Sequence, residues 1–130
     1  MLARVLFSVV LVVAAVACGK GDGAAGGGGP RDAVTSAWKK GGMTLSPLTA
    51  ATVTVGKDCQ SGTVGAIDVL LCVYPTPAEA KAAEESGLGW VGEATGAAQA
   101  AGTVLIAVAD RRKSDPSGRT INQLMKLAPK

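Results

Sequence analysis

The segment Val64-Gly65-Ala66-Ile67 constrains the fold more than any other part of the sequence, because it fixes how two strands pair. Two apolar residues flank a two-residue turn, and glycine stands first in that turn, as a type II′ hairpin requires. If Val64 faces Ile67, counting outward places Cys59 opposite Cys72. In a non-hydrogen-bonded antiparallel pair the Cα atoms lie about 4.5 Å apart, which is within disulfide range. The sequence therefore predicts a disulfide-closed hairpin.

The two cysteines also allow other interpretations. If residues 56–62 form a loop instead of a strand, the register changes but a bridge between Cys59 and Cys72 is still allowed. Redox catalysis is disfavoured by the wide spacing, by the missing C-x-x-C motif and by the absence of histidine. A structural zinc site requires four protein ligands, and the two thiolates supply only half of them. The expected disulfide would contribute about 3 kcal/mol to stability.

The first 17 residues have the layout of a secretory signal peptide. Arg4 supplies the positive charge, and a largely apolar stretch runs from Val5 to Val16. A membrane-spanning helix needs roughly 20 apolar residues, so a retained transmembrane anchor is the weaker interpretation. We therefore expect an exported protein, in a compartment where disulfides form.

The residues Ala15-Val16-Ala17-Cys18 resemble the lipobox of bacterial lipoproteins. This resemblance implies that Cys18 becomes diacylated and forms the new N-terminus. Ala15 stands where leucine is commonest, and Ala15-Val16-Ala17 also suits ordinary signal peptidase, which would leave Cys18 unmodified. Gly19 is not the aspartate that retains lipoproteins at the inner membrane in enteric-type sorting. The family analogy therefore favours an outer-membrane protein that faces the periplasm.

Three parts of the chain follow from this interpretation: a signal peptide at residues 1–17, the lipidated cysteine with a glycine-rich tether at 18–30, and one globular domain at 31–130. The formal net charge of +3 does not indicate nucleic-acid binding. Histidine is absent, which removes the commonest general base and metal ligand. We predict no metal, no cofactor and no enzymatic activity.

The domain is expected to be an α/β (α+β) two-layer sandwich, in which a small sheet of about three strands packs against helices on one side, loosely like a ferredoxin fold. The patterns predict helix 32–40, strand 52–55, strand 67–74, helix 76–86 that starts with Thr76 and Pro77, strand 103–109, and a final helix from Asp115-Pro116. A right-handed crossover should carry strand 67–74 through helix 76–86 into strand 103–109.

The sequence Gly87-Leu88-Gly89-Trp90-Val91-Gly92 matches the dinucleotide fingerprint G-x-G-x-x-G. It follows a predicted helix rather than a strand, and this is the wrong context for a cofactor site. We expect instead that the glycines form a tight loop while the Trp90 indole docks on the core.

Three functions compete. The first is a lipid-anchored interaction module with an envelope protein as partner, which would bind through Trp90 and the basic rim, defined as Arg111, Arg112, Lys113 and Arg119. The alternative is that the basic rim has no partner and is simply a solvent-exposed segment after the end of a strand. The second is a structural envelope lipoprotein without a ligand. The third is a carboxylate-based enzyme, for which Asp68, Asp110 and Asp115 would have to converge in one pocket.

Overall fold

A computed structural model describes residues 29–129, where nine helices and strands follow one another. They are α1 (Pro30–Lys40), β1 (Thr49–Val53), β2 (Gly56–Val64), β3 (Ile67–Val73), α2 (Pro77–Ala82), α3 (Glu84–Val91), β4 (Thr95–Ala101), β5 (Val104–Asp110) and α4 (Arg119–Leu127). The strands form one sheet in the order β1-β2-β3-β5-β4, and all neighbours are antiparallel.

The signal peptide predicted at residues 1–17 and the lipidation predicted at Cys18 lie outside the described residues. Of the tether predicted at 18–30, only the last two residues are described, and Pro30 already begins α1. No helix between residues 29 and 129 has the length and hydropathy that a membrane span requires.

The β2–β3 hairpin has the predicted register. Val64 pairs with Ile67, and Cys59 pairs with Cys72. Of the two turn residues only Gly65 has a positive φ, 60°, as a type II′ turn requires. A disulfide joins Cys59 to Cys72, whose Cα atoms lie 4.0 Å apart. The predicted hairpin and its bridge are both confirmed.

Helices cover both faces of the sheet, because the central strands send apolar side chains alternately to each side. Leu71 of β3 packs in one core with Trp38 of α1 and Leu124 of α4. The next side chain along the strand, Leu70, points the other way into a second core that contains Val91 of α3. This burial on both faces explains why β3 and β5 are continuous apolar runs.

The predicted architecture is wrong, although the domain does combine helices and strands as expected. A two-layer sandwich with about three strands and helices on one side was expected, with a loose likeness to ferredoxins. The sheet has five antiparallel strands and lies between two helical layers, since α1 and α4 pack on one face while α2 and α3 pack on the other. Hydrophobic patterns identified the buried strands but did not show which face each helix would cover.

Strand β4 was not predicted, because its sequence TGAAQAA is rich in residues with low β propensity. It is a strand because it pairs with β5 along its whole length, from Thr95 with Asp110 to Ala101 with Val104. The predicted crossover from strand 67–74 directly into strand 103–109 is therefore wrong. The helices lead to β4 at the sheet edge, and β5 returns antiparallel between β4 and β3.

The helix start at Thr76 is confirmed. The Thr76 hydroxyl oxygen accepts a hydrogen bond from the backbone N–H of Glu79 at 3.1 Å, and Pro77 is the first helical residue. These contacts satisfy a backbone donor that the helix itself leaves unpaired.

The predicted end of this helix at residue 86 is wrong. After a break at Ala83 the chain continues as α3, and Gly92, with φ 65°, ends it. The G-x-G-x-x-G motif is thus helical, and the expected glycine loop around Trp90 is also wrong. Gly87 serves close packing, because a Cβ atom there would lie 3.0 Å from the Cβ of Ala98 in β4.

Two glycines of α3 give a matched test of this packing. Gly89 is exposed with no atom near an added Cβ, so Gly89→Ala is expected to raise the free energy of unfolding by about 0.5–1 kcal/mol. Gly87→Ala should lower it by about 1 kcal/mol, because Ala98 and Leu105 must move. Urea unfolding measures both variants. Equal stabilisation by the two substitutions would contradict the close contact between α3 and the sheet.

Other element boundaries differ by a few residues. The predicted strand 52–55 ends earlier, because Thr54 and Val55 form the turn into β2. The last helix begins at Arg119 instead of Pro116, since Gly118 adopts a left-handed conformation with φ 72°. Its apolar face packs on the sheet through Ile121 and Leu124, and Ala128 just after the helix is buried as well.

Candidate functional site

One end of the sheet carries an open groove on the face where α2 and α3 pack. These helices pack mainly on β4 and β5, and the neighbouring part of the face, formed by β1, β2 and the start of β3, bears polar side chains. The resulting cavity has a volume of about 490 Å³. We call it the polar groove, and its lining residues are Ser46, Pro47, Thr49, Ser61, Gly62, Thr63, Asp68, Val69, Trp90 and Arg111.

Strand register builds the floor of the polar groove. Thr49 of β1 pairs with Ser61 of β2, and Thr63 of β2 pairs with Asp68 of β3. Directly opposed residues in a sheet project to the same face, and residues two apart on a strand do so as well. Three hydroxyl groups and one carboxylate therefore lie side by side, and all four residues are at least partly exposed.

Ser46 and Pro47, which precede β1, form one wall of the polar groove. The N–H of Ser46 donates to the carbonyl oxygen of Thr63 at 2.9 Å, and the Ser46 hydroxyl accepts from the N–H of Thr63 at 2.8 Å. Gly62 lets this segment pass closely, because an added Cβ would lie 2.9 Å from side-chain atoms of Ser46 and Leu48.

Two arginines converge on Asp68 at the opposite wall. The Arg112 guanidinium donates to Asp68 Oδ1 at 2.9 Å and to the carbonyl oxygen of Ala66 at 2.8 Å. Nη1 of Arg111 lies 3.6 Å from Asp68 Oδ2. The two arginine side chains remain 39% and 54% exposed for Arg111 and Arg112, against 21% for Asp68. One carboxylate thus holds two guanidinium groups that solvent still reaches.

Trp90 fixes the position of Arg111. The guanidinium carbon of Arg111 lies 4.3 Å from the centroid of the indole ring, and its Nη2 donates to the Trp90 carbonyl oxygen. A cation over an indole face is attracted by the negative charge of the ring face. Arg111 is therefore held from two sides, by Asp68 and by Trp90, as a part of the groove wall.

The predicted basic rim does not act as one surface. Arg111 lines the polar groove and Arg112 joins it through Asp68. Lys113 lies in the loop after β5 with φ 56° and lines a neighbouring depression. Arg119 begins α4 and does not line the polar groove. Trp90 and two of the four rim residues are brought together.

The three carboxylates of the enzyme hypothesis do not meet in a described cavity. Asp68 lines the polar groove, whereas Asp110 and Asp115 line two other depressions. Asp115 accepts the N–H of Thr120 at 2.7 Å and so satisfies a backbone donor in the first turn of α4. No group of three or more histidine, cysteine, aspartate or glutamate side chains between residues 29 and 129 is placed to hold a metal ion.

Asp110 organises the loop after β5. Its Oδ1 accepts from the N–H and hydroxyl of Ser114 at 2.9 and 3.1 Å, and its Oδ2 accepts from the N–H of Asp115 at 2.8 Å. Burial of Asp110 alone would raise its pKa, but the hydrogen bonds to Ser114, Asp115 and Lys113 outweigh it and lower the pKa below the ordinary 3.8.

This lowered pKa predicts an acid-dependent stability contribution. Because the folded state favours the ionised form, the contribution is complete well above pH 3.8 and is lost as the pH falls through the folded pKa. We expect Asp110→Asn to lower the unfolding midpoint at pH 7, and the difference from wild type to shrink below pH 3.8. Urea unfolding at several pH values measures this, with Glu85→Gln as an exposed control. A difference that is constant down to pH 2 would contradict the assignment.

The row of hydroxyl groups on the groove floor was not predicted, although the hairpin register indicates it. The hairpin register that places Cys59 opposite Cys72 also places Thr63 opposite Asp68, and alternation puts Ser61 on the same face as Thr63. The Arg111 and Arg112 positions were identified from charge, but their shared contact with Asp68 was not.

No family model, curated protein or solved structure matches this chain.

Proposed function

We propose that the chain is a lipid-anchored binding module of the bacterial cell envelope. Cys18 carries the lipid, the glycine-rich segment after it acts as a tether, and the domain presents the polar groove to a ligand. The lipobox-like residues support the anchor. The protein would then be exported and attached to the outer membrane, facing the periplasm.

The observation that carries the binding role is the convergence of Arg111 and Arg112 on Asp68 beside an open cavity. Guanidinium groups that are held in place lose little side-chain entropy when they bind a ligand. Two guanidinium groups and one carboxylate leave one net positive charge next to the floor of hydroxyl groups. These features favour recognition of a polar or acidic envelope component.

Photo-cross-linking in the cells that produce the protein tests this role. Benzoylphenylalanine replaces Thr49 in the polar groove or, as a control, Asn122, which is exposed on α4 on the other side of the sheet. We expect a cross-linked product from position 49 and none from position 122. The product should disappear with Arg111→Gln and Arg112→Gln, and should persist with Arg119→Gln.

Mass spectrometry of the purified cross-linked protein tests both the anchor and the partner. A mass at Cys18 that includes acyl chains supports the lipoprotein assignment, whereas an unmodified Cys18 with protein in the soluble fraction contradicts it. A protein in the cross-linked product would support the predicted envelope protein partner. No product from position 49 would contradict a binding role and favour a structural lipoprotein.

A further inference from the structure

We infer that the polar groove binds an acidic carbohydrate, meaning a sugar or short oligosaccharide that carries a carboxylate among its hydroxyl groups. This inference rests on the proposed function, because it takes the polar groove as the binding surface and names the chemical class of its ligand.

The guanidinium pair accounts for the acidic group. Arg111 is fixed by Asp68, by the Trp90 carbonyl oxygen and by the indole ring, and Arg112 is fixed by Asp68 and the Ala66 carbonyl oxygen. Each guanidinium group has five N–H donors, and these contacts occupy only some of them. One net positive charge remains, which matches a single carboxylate.

The groove floor accounts for the hydroxyl groups. Thr49, Ser61 and Thr63 offer three adjacent hydroxyls, each of which can donate and accept a hydrogen bond, as a sugar hydroxyl can. Side chains on a paired sheet are held at fixed spacing. A ligand that contacts several of them therefore causes little loss of protein conformational entropy on binding.

A sugar fits this floor better than a peptide does. The main chain of β2 is already paired with β1, with β3 and, at Thr63, with Ser46, so β2 offers a ligand side chains and not main chain. An extended peptide would therefore lack the main-chain pairing that gives strand addition its affinity. Leu88, the one large apolar side chain that is exposed between residues 29 and 129, does not line the polar groove. Trp90 does line it, but this side chain is partly buried and holds the Arg111 guanidinium over its ring, so the groove offers little apolar surface to a lipid tail.

The two tryptophans provide a direct test by nuclear magnetic resonance. The mature full-length protein, with indole nitrogens labelled, is titrated with trigalacturonate and separately with N-acetylmuramic acid. We expect at least one of these acidic sugars to shift the indole N–H signal of Trp90 saturably, because Trp90 lines the polar groove. The Trp38 signal should stay fixed, since its N–H is buried and bonded to the carbonyl oxygen of Leu124 at 2.9 Å.

Matched probes and variants separate the parts of the site. The methyl ester of trigalacturonate should not bind, because it lacks the carboxylates. Arg111→Gln should weaken binding about tenfold, as expected for a charge-assisted hydrogen bond lost from a residue that lines the groove, and Thr63→Val should weaken it about threefold. Arg119→Gln should leave affinity unchanged. An unmoved Trp38 signal in each variant shows that the fold is intact.

Three results would overturn the inference: no shift of Trp90 with either acidic sugar, equal binding of the methyl ester, or shifts produced instead by inorganic phosphate or by phosphatidylglycerol vesicles. If cross-linking captures a protein at Thr49 while both acidic sugars leave Trp90 unmoved, the binding module stands and its ligand class is wrong. If no cross-link forms in cells, the proposed function itself fails.

Discussion

Replacing Trp38 by alanine should lower the free energy of unfolding by about 4 kcal/mol. Trp38 is fully buried in the core between the sheet and the two helices α1 and α4. Its side chain is the largest in a core built mainly from valine, leucine, isoleucine and alanine. These smaller neighbours cannot fill the cavity that the substitution would leave. A loss of this size is a large fraction of the total stability of a domain of about 100 residues.

Trp38→Phe serves as the matched control, because it keeps an aromatic ring but removes the indole N–H. The carbonyl oxygen of Leu124 then loses its 2.9 Å hydrogen bond from the indole, and we expect a loss of about 1–2 kcal/mol. Urea unfolding followed by circular dichroism measures both variants. A loss below about 1 kcal/mol for Trp38→Ala would show that this core can collapse around the missing side chain.

Removing the disulfide should have the second largest effect, a loss of about 3 kcal/mol. The bridge closes a short loop, since Cys59 and Cys72 are 13 residues apart, and both cysteines are buried. In the double variant Cys59→Ala, Cys72→Ala the unfolded chain regains the conformations that the bridge had removed. The folded hairpin should persist, because its register is also set by the turn at Gly65.

The control for the double variant is wild-type protein whose disulfide has been reduced with dithiothreitol and which is then unfolded in urea. Both lack the bridge, so their free energies of unfolding should agree within about 1 kcal/mol, the remaining difference being the altered core packing of the two side chains. Equal stability of the oxidised wild type and the double variant would contradict a stabilising role for the bridge.

The parts of the fold that could be predicted are those that local chemistry determines. The turn at Gly65 fixes the register of β2 with β3, and Thr76 with Pro77 fixes the start of a helix. The edge strand β4 could not be recognised from its composition, although Gly102, with φ 62°, begins a turn of the same kind before β5. Gly96 of β4 also has a packing role, since an added Cβ would overlap the carbonyl oxygen of Val108.

The site could not be predicted because it depends on the relative direction of β3 and β5, which local sequence patterns do not determine. A parallel pairing of β3 with β5, as the predicted crossover implied, would have placed Asp68 at the start of β3 far from the residues that follow β5. The antiparallel pairing sets Asp68 opposite Ala109 and so brings it next to Arg111 and Arg112. The missed strand β4 therefore explains both the wrong topology and the unrecognised groove.

The most direct test of the central claim, that a lipid-anchored domain holds a ligand in the polar groove, is native mass spectrometry of the full-length protein purified gently from its own cells. We predict a mass that includes acyl chains at Cys18 and a bound component, and the loss of that component alone with Arg111→Gln and Arg112→Gln. An unmodified Cys18 with nothing bound to the wild-type protein would contradict the claim.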